Sequence, residues 1–524
     1  MSAATNPIIP GFAPDPSLVK VGDWYFLVTS SFHMFPGLPV YVSQDLVSWK
    51  QIGNVINRRK QLSLALSDTT LVELGNSDDV MLATGGLYAP TIRYHEGTFY
   101  VVCTNVIHSD GKDSSENFIA STSLQGIWSD QWSDLVYFDF EGIDPSIFID
   151  EDGKTYIQGS AAPGPYTTIN MFEVDLGTGA KLSDEKTIWS GTGGIYPEGP
   201  HLYKWKGWYY LLISEGGTHE QHMLTMARAK DIWGPYEACP HNPILTAFGT
   251  NEYVQCTGHC DVFQDDQQRW WGVCLGIRRA EGQRSIMGRE TFLTPGNWDD
   301  DWLSLELVKP EISIACQAAG DVLRLSSEPG VDFLYIRDAL LENYRMSNGS
   351  STYLRATRID LSHPNQSPTF MGKRQRLLSG KSSVVIPRFT EYHALANLKV
   401  GLACYKDEHR YVRIFYDSVG DRVVFEIVNN AKKIARTEVH EVKGATDTSA
   451  LGLRMDYTED AYRMLYSYQG ESGNSWNCLA TVDTLHMTDP DFTGPVIGVF
   501  AVAEDTIDVQ FDNLEIDFRG DIMK

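Results

Sequence analysis

Apolar and polar positions alternate along the first three hundred residues in short bursts, and the bursts come in pairs. Residues 15–30, DPSLVKVGDWYFLVTS, set a short run against an aromatic and β-branched one across a Gly-Asp turn. The pattern returns at residues 89–104, 141–160, 198–214 and, most degraded, 258–276. Period-two alternation broken by Gly- or Asp-containing turns is the signature of β-hairpins, and Asp152-Gly153 inside EDGK marks the third most strongly. Each copy also carries a second half. Residues 42–46 run to Trp49, 120–124 to Trp128 and 227–232 to Trp233, with looser versions at 172–176 and 288–298. Two hairpins make a four-stranded unit. Repeated units that cannot bury both faces alone predict a propeller, here of five blades with inserted loops.

The repeat stops after Trp302. Pro310, Gly320, Pro329 and Gly330 mark a break, and residues 316–332 read as a connector between a propeller (1–315) and a second domain (333–524). Residues 400–405, 411–417, 423–429, 496–502 and 507–518 again alternate with period two, and no helical period competes. The fold class is therefore all-β, a propeller followed by a β-sandwich. Residues 57–86 and 106–117 are polar and irregular and read as loops, 31–39 as an aromatic loop. Pro163-Gly164-Pro165 is a further break.

A chain of 524 residues exceeds one ordinary core, which agrees with two domains. The net charge of −25 repels nucleic acid and anionic membrane and leaves a neutral polymer as a compatible partner. No apolar run is long enough to span a bilayer. The start, MSAATNPIIPG, has neither a basic nor an apolar leader region, so the protein is expected in the cytoplasm if Met1 is the natural start and outside the cell if a leader has been removed. Sequons at Asn348 and Asn365 do not decide the compartment. Of eight cysteines, Cys103, Cys274 and Cys404 fall inside predicted strands as small hydrophobes. Cys256 and Cys260 lack the second pair that a zinc site requires, and Cys239, Cys316 and Cys478 carry no motif.

First strands of a propeller line its axis, so residues at one repeat phase gather at one mouth. The position before the repeated proline is Asp15 in the first copy, Ala89 in the second and Asp144 in the third; Glu198 takes the matching place in the fourth, and the fifth has it near His259. A single Asp-Pro is usually a turn initiator. Three acids at one phase repel one another and need a reason. Glycoside hydrolysis supplies one, since it uses one acid to protonate the leaving oxygen and one base opposite, and a third carboxylate raises the acid's pKa. A pair separated by roughly 6.5–9.5 Å admits a water and inverts the anomeric centre.

With these residues the chain resembles glycoside hydrolase family 43. The shared motifs are Phe12-Ala13-Pro14-Asp15-Pro16-Ser17, Phe32-His33-Met34-Phe35-Pro36-Gly37, residues 41–49, Ala89-Pro90, Asp144-Pro145-Ser146, Glu198-Gly199-Pro200-His201-Leu202-Tyr203 and Gly258-His259. Ser367-Pro368-Thr369-Phe370 with Arg374-Gln375 resembles the lectin-like sandwich of the β-xylosidase and α-L-arabinofuranosidase branch. The resemblance implies an inverting, exo-acting hydrolase releasing terminal α-L-arabinofuranose or β-D-xylose from arabinoxylan or xylooligosaccharides. It implies Asp15 as general base, Glu198 as general acid and Asp144 as the group that tunes the acid. Phe32, Phe35 and Tyr88 would shape the sugar pocket, Tyr88 replacing the more usual Trp. His259 is either a satisfied axial histidine or a contact to calcium through water; no cofactor is required, and a structural calcium is the one metal the resemblance allows. Arg278 or Arg279 would bring a cation to the sugar hydroxyls, or else form a surface ion pair. An endo-acting arabinanase and a non-catalytic carbohydrate-binding protein are the rival readings. The sandwich could bury a propeller edge, complete the pocket wall or bind polymer, and the oligomeric state is open.

Overall fold

The architecture follows from how alternate residues of one strand face opposite neighbours. In Trp24–Val28, Phe26 and Val28 pack toward the second hairpin repeat with Ile92, Phe99 and Val101, while Tyr25 and Leu27 pack toward the fifth with Trp271, Val273 and Leu293. In Thr98–Ser109, Val101 and Cys103 face back to the first repeat and Val102 faces Ile147 and Ile157 of the third. In Trp208–Gly217, Leu211 and Ile213 join Tyr156 and Met171 of the third, and Tyr210 and Leu212 join Val262, Cys274 and Phe292 of the fifth. Each repeat thus shares an apolar layer with the one before and the one after, and the last layer returns to the first.

This computed structural model describes residues 2–75, 79–109, 112–161, 164–299, 301–314, 325–347, 351–392, 395, 397–442, 449–469 and 476–519. Residues 316–324 of the expected connector, with Cys316, the Asn348 sequon and Pro163, lie outside the described residues. Among those described, five sheets follow one another, antiparallel except for one parallel strand added to the first, with first strands Ser17–Val21, Gly86–His95, Ile143–Ile149, Glu198–Trp205 and Val254–Gln264. These first strands touch in a ring. The ends are fastened where Ser2–Thr5 pairs with Glu311–Ile314 and Asn6 bonds Leu293 and Lys309.

Asp261 ties the ring together below its mouth. It accepts from Ser17 Oγ (2.7 Å), from Arg93 Nη1 (2.8 Å) and from Tyr203 Oη (2.5 Å), reaching the first, second and fourth sheets from the fifth. Burial raises its pKa, but Arg93 and these bonds overcome that and hold it below the ordinary carboxylate range. Its stabilisation is therefore present above that range and lost in acid. Asp261→Ala, which leaves the Arg93 guanidinium buried and unpaired, is expected to cost about 3–5 kcal/mol in chemical denaturation.

Beyond residue 325 a seven-stranded and a six-stranded antiparallel sheet lie face to face. Val400, Leu402 and Val412 meet Leu453, Met455 and Phe511 in a common core. The expected strands are present as Lys399–Asp407, Arg410–Asp417, Arg422–Asn429, Val496–Val502 and Asp508–Phe518.

Four segments differ from the sequence reading. Residues 31–39, expected as an aromatic loop, hold the strand Met34–Phe35 and the start of Gly37–Ser43. Residues 106–109 and 112–117 are not loop but the far end of two long paired strands, Thr98–Ser109 with Lys112–Ser123, whose polar residues stand where the ladder extends past the apolar layers. Within 57–86, Thr69–Glu73 and Val80–Thr84 form a hairpin that docks on the sandwich: Thr69 N donates to buried Glu408 (2.5 Å) and Leu82 N to Pro490 O (2.9 Å). Leu325–Ser327, inside the expected connector, joins the first sheet beside Trp49–Ile56.

Candidate active site

At the mouth of the ring each first strand carries the same irregularity. Asp15, Ala89, Asp144, Gly199 and His259 all have left-handed backbones, with φ of 54°, 44°, 54°, 55° and 44°. Register shifts accompany them at Val102/Thr104, Ile143/Ser146, Glu198/His201 and Gln255/Gly258/Asp261. Such a bulge leaves a residue unpaired and re-aims side chains; four non-glycine residues held at positive φ in equivalent places mark strain kept for a purpose.

The bulges correct the assigned phase. Gly199, not Glu198, is the fourth counterpart of Asp15 and Asp144. Glu198 pairs with Ser214 as Ile143 pairs with Ser160 and Tyr88 with Thr104, so it stands one residue earlier. The sequence put Glu198 in phase because the fourth copy has its acid before Gly-Pro. Gly199 is required in its own right. A Cβ there would lie 2.9 Å from the His259 ring, and its N–H donates to Asp144 Oδ2 at 3.1 Å.

The irregular strands surround one pocket, lined by Asp15, Phe32, Tyr88, Ile143, Asp144, Glu198, Thr218, His259, Leu275, Arg289 and Phe492. The three acids expected from the repeat therefore converge, together with Phe32, Tyr88 and His259. Phe35 does not join them; it faces the layer between the first two sheets, on a strand paired with Tyr335. Neither Arg278 nor Arg279 lines the pocket. Arg278 is paired with fully buried Glu290 (2.6 Å), and Arg279 points to a separate cleft.

The pocket's cation is Arg289, which the sequence reading missed. Its Nη1 donates to Asp15 Oδ1 (3.2 Å) and Thr218 Oγ1 (3.0 Å) and its Nη2 to Phe492 O (3.1 Å). A charged Arg289-Glu290 pair at the start of the largely buried strand Glu290–Asn297 was its one trace in the sequence. Phe492 was missed because it comes from the sandwich. It stacks on Phe32 at 5.8 Å and meets Tyr88 edge-on at 5.9 Å. The second domain thus completes the pocket wall. Its loop is pinned by buried charges, Asp491 to Lys406 and Arg410 at 2.5 Å each.

The carboxyls are held in opposite states. Burial pushes Asp15 up, but Arg289, then His259 (Nδ1 at 3.9 Å) and the Ser30 hydroxyl (2.6 Å) bring it below its ordinary value. Ser30 is fixed in turn by Ala89 N (2.7 Å). Glu198 is raised well above the ordinary range by burial, then by Asp144 and Asp15, and among the described residues no group donates to its carboxyl. Asp144 is raised by burial and by Asp15, against the pull of His259. Of the three, Glu198, the most strongly raised and partly open to the pocket, is the carboxyl whose surroundings most favour the protonated form.

His259 offers a calcium ion one imidazole nitrogen, whereas Ca²⁺ takes about six to eight oxygens. Among the described residues no three His, Cys, Asp or Glu side chains converge on a metal position. The donor set does not fit a protein-held cation, and no step below uses one.

With this geometry in place the comparisons are specific. Residues 4–303 match the profile of "Glycosyl hydrolases family 43" and residues 326–517 that of "Beta xylosidase C-terminal Concanavalin A-like domain". The non-reducing end α-L-arabinofuranosidase BoGH43B of Bacteroides ovatus is 33% identical over 95% of this chain and 90% of its own. A xylosidase/arabinosidase of Butyrivibrio fibrisolvens is 32% identical over 82% of both. Among solved structures, the xyloglucan-locus GH43B of Bacteroides ovatus superposes with a TM-score of 0.82 at 29% identity, over 98% of this chain and all of that one. A xylan β-1,4-xylosidase of Bacillus halodurans gives 0.82 at 26%, over 97% and 99%.

Proposed function

The chain belongs to glycosyl hydrolase family 43 and is a glycoside hydrolase, and we propose that it removes a terminal α-L-arabinofuranose or β-D-xylose from xylan-derived chains with inversion of configuration. The observation that carries the reading is two carboxyls facing one pocket in unlike surroundings, Asp15 held by Arg289 and Ser30, which lower its pKa, and Glu198 buried near Asp144 and Asp15, which raise its own. The relatives' names, arabinofuranosidase and xylosidase/arabinosidase, support the sugar class.

In this mechanism a water lies between Asp15 and the anomeric carbon. Asp15 takes its proton as the oxygen bonds to that carbon. The bond to the leaving oxygen breaks on the opposite face, and that oxygen receives the Glu198 proton. Asp15 ends protonated and Glu198 charged, and exchange with solvent restores both. Asp144 keeps Glu198 protonated by like-charge repulsion and is itself positioned by Gly199 N–H. Arg289 holds the base ionised and ties it to the wall formed by Phe32 and Phe492. The cavity measures about 80 Å³, small beside the roughly 300–1,000 Å³ of larger ligand sites. Such a pocket suits one terminal sugar and favours exo over endo action.

Proton magnetic resonance of the first product from arabinoxylan and xylooligosaccharides tests this reading. The expected signal is a free pentose whose anomer is opposite to that of the bond cleaved, appearing before mutarotation. A retained anomer, or first products that include no free pentose, would overturn it.

A further inference from the structure

We propose that the enzyme grips at least two sugar residues of the leaving group, along a cleft that runs from the pocket mouth to Phe248. The inference rests on the glycosidase reading above and extends it outward. Three pocket residues, Thr218, Arg289 and Phe492, have chain neighbours that line a second cavity: Gly217 and His219, Gly288, and Asp491. This outer cleft lies between the two domains and measures about 770 Å³, against about 80 Å³ for the pocket beside it. It is far larger than a leaving group of one ring requires, and falls within the ~300–1,000 Å³ of clefts that hold extended ligands.

The cleft continues. Glu220, Gln221 and Arg279 also line a further cavity of about 180 Å³, which ends at Phe248. Phe248 keeps 51% of its surface exposed, and its backbone is fixed by Phe248 N to Thr246 Oγ1 (3.1 Å) and Thr246 Oγ1 to His222 O (3.2 Å). An exposed ring on a fixed turn is a platform for the apolar face of a sugar. Arg279 stands at the junction of the two cavities. Its Nη2 makes only long bonds, to His219 O at 3.3 Å and Cys256 Sγ at 3.5 Å, and among the described residues no carboxylate pairs with it. In a chain with 25 more acids than bases, an arginine without a carboxylate partner is a donor left free for a ligand. The ligand is a neutral polyhydroxyl chain. Lys432 is engaged by Thr488 O and Asp489, and Asp491 by Lys406 and Arg410, while Arg279 offers donors and Glu220 and Gln221 offer acceptors along the same wall.

The test measures kcat/KM on xylooligosaccharides of two, three and four residues, and on xylose, xylobiose and xylotriose capped with a terminal arabinofuranosyl group, so that both series total two, three and four residues, using whichever series is cleaved. From two to three residues kcat/KM is expected to rise about tenfold, the worth of one aromatic contact with a bound ring. Phe248→Ala and Arg279→Ala should each bring the three-to-two ratio close to one, and Phe248→Trp should keep it. A structural defect would lower both substrates together and leave the ratio unmoved. A flat length profile in the wild type, or a ratio untouched by both alanine variants, overturns the inference while aryl glycosides are still cleaved. Failure to cleave aryl xylosides and aryl arabinofuranosides as well as both series sinks this inference and the glycosidase reading together.

Discussion

Glu198→Ala is expected to lower kcat/KM on natural oligosaccharides by about 10³–10⁴-fold, within the range and at the upper end of what general acids contribute. An alkoxide leaving from a sugar needs a proton in the transition state, and Glu198 is the carboxyl in the pocket whose surroundings keep that proton. An activated nitrophenolate leaves without one. The same variant on an aryl glycoside should therefore lose far less, and the two losses should diverge by at least about 10²-fold. Equal losses would mean that the substitution damages the pocket as a whole. Folding is not at risk from the substitution, since Glu198 is raised by burial and by two neighbouring acids, and removing it relieves that repulsion. Its stability contribution has the sign of a raised acid: the folded state is favoured below about pH 4.5, the ordinary Glu value, and penalised as pH rises through the folded pKa.

Asp15→Ala is expected to reduce kcat/KM by about 10⁴-fold on natural and aryl substrates alike, because the attacking water needs its base whatever departs. The geometry adds a second expectation. Ser30, Arg289 and His259 remain around the vacated volume, and a cationic recess of that kind accepts a small anion. Azide should restore turnover of aryl glycosides and give a glycosyl azide of inverted configuration. A retained azide would put the nucleophile on the other face and assign Asp15 a different role. Because the change leaves Arg289 without its carboxylate, a loss of thermal stability should accompany it, greatest above the ordinary Asp pKa, where a depressed carboxylate contributes.

The ring of hairpins was legible because it rests on local physics. The aromatic and β-branched runs of Trp24–Val28 and Trp208–Gly217 need no knowledge of distant residues to be read as strands, although burial on both faces rather than one shows only once the sheets pack. Asp15 and Asp144 were legible because a repeat turns equal phase into equal place. The same logic misassigned Glu198 by one residue, since the motif was aligned on its acid whereas the backbone aligns on the residue with left-handed φ, here Gly199. Phe35 was misplaced because a motif shows that a phenylalanine is present but not which face of the sheet it takes. Arg278 and Arg279 drew attention as a basic pair beside the fifth repeat, yet a strand points one of them to Glu290 and the other to the outer cleft. Phe492 was beyond reach, because a contact between residues 32 and 492 depends on how two domains dock. The polar segment 57–86 read as a loop for a related reason. Its partners, Glu408 and Pro490, lie in the sandwich, and they fasten the loop that carries Phe492.

The pH dependence of kcat/KM in the wild type and in Asp144→Asn tests the paired protonation states most directly. The wild type should show a bell whose acid limb lies below the ordinary Asp value, set by Asp15, and whose alkaline limb lies well above the ordinary Glu value, set by Glu198. Removing the Asp144 charge should move the alkaline limb toward acid and leave the activity to fall at a lower pH. An alkaline limb that stays in place in Asp144→Asn, or a wild-type bell confined to ordinary carboxylate values, would contradict the account.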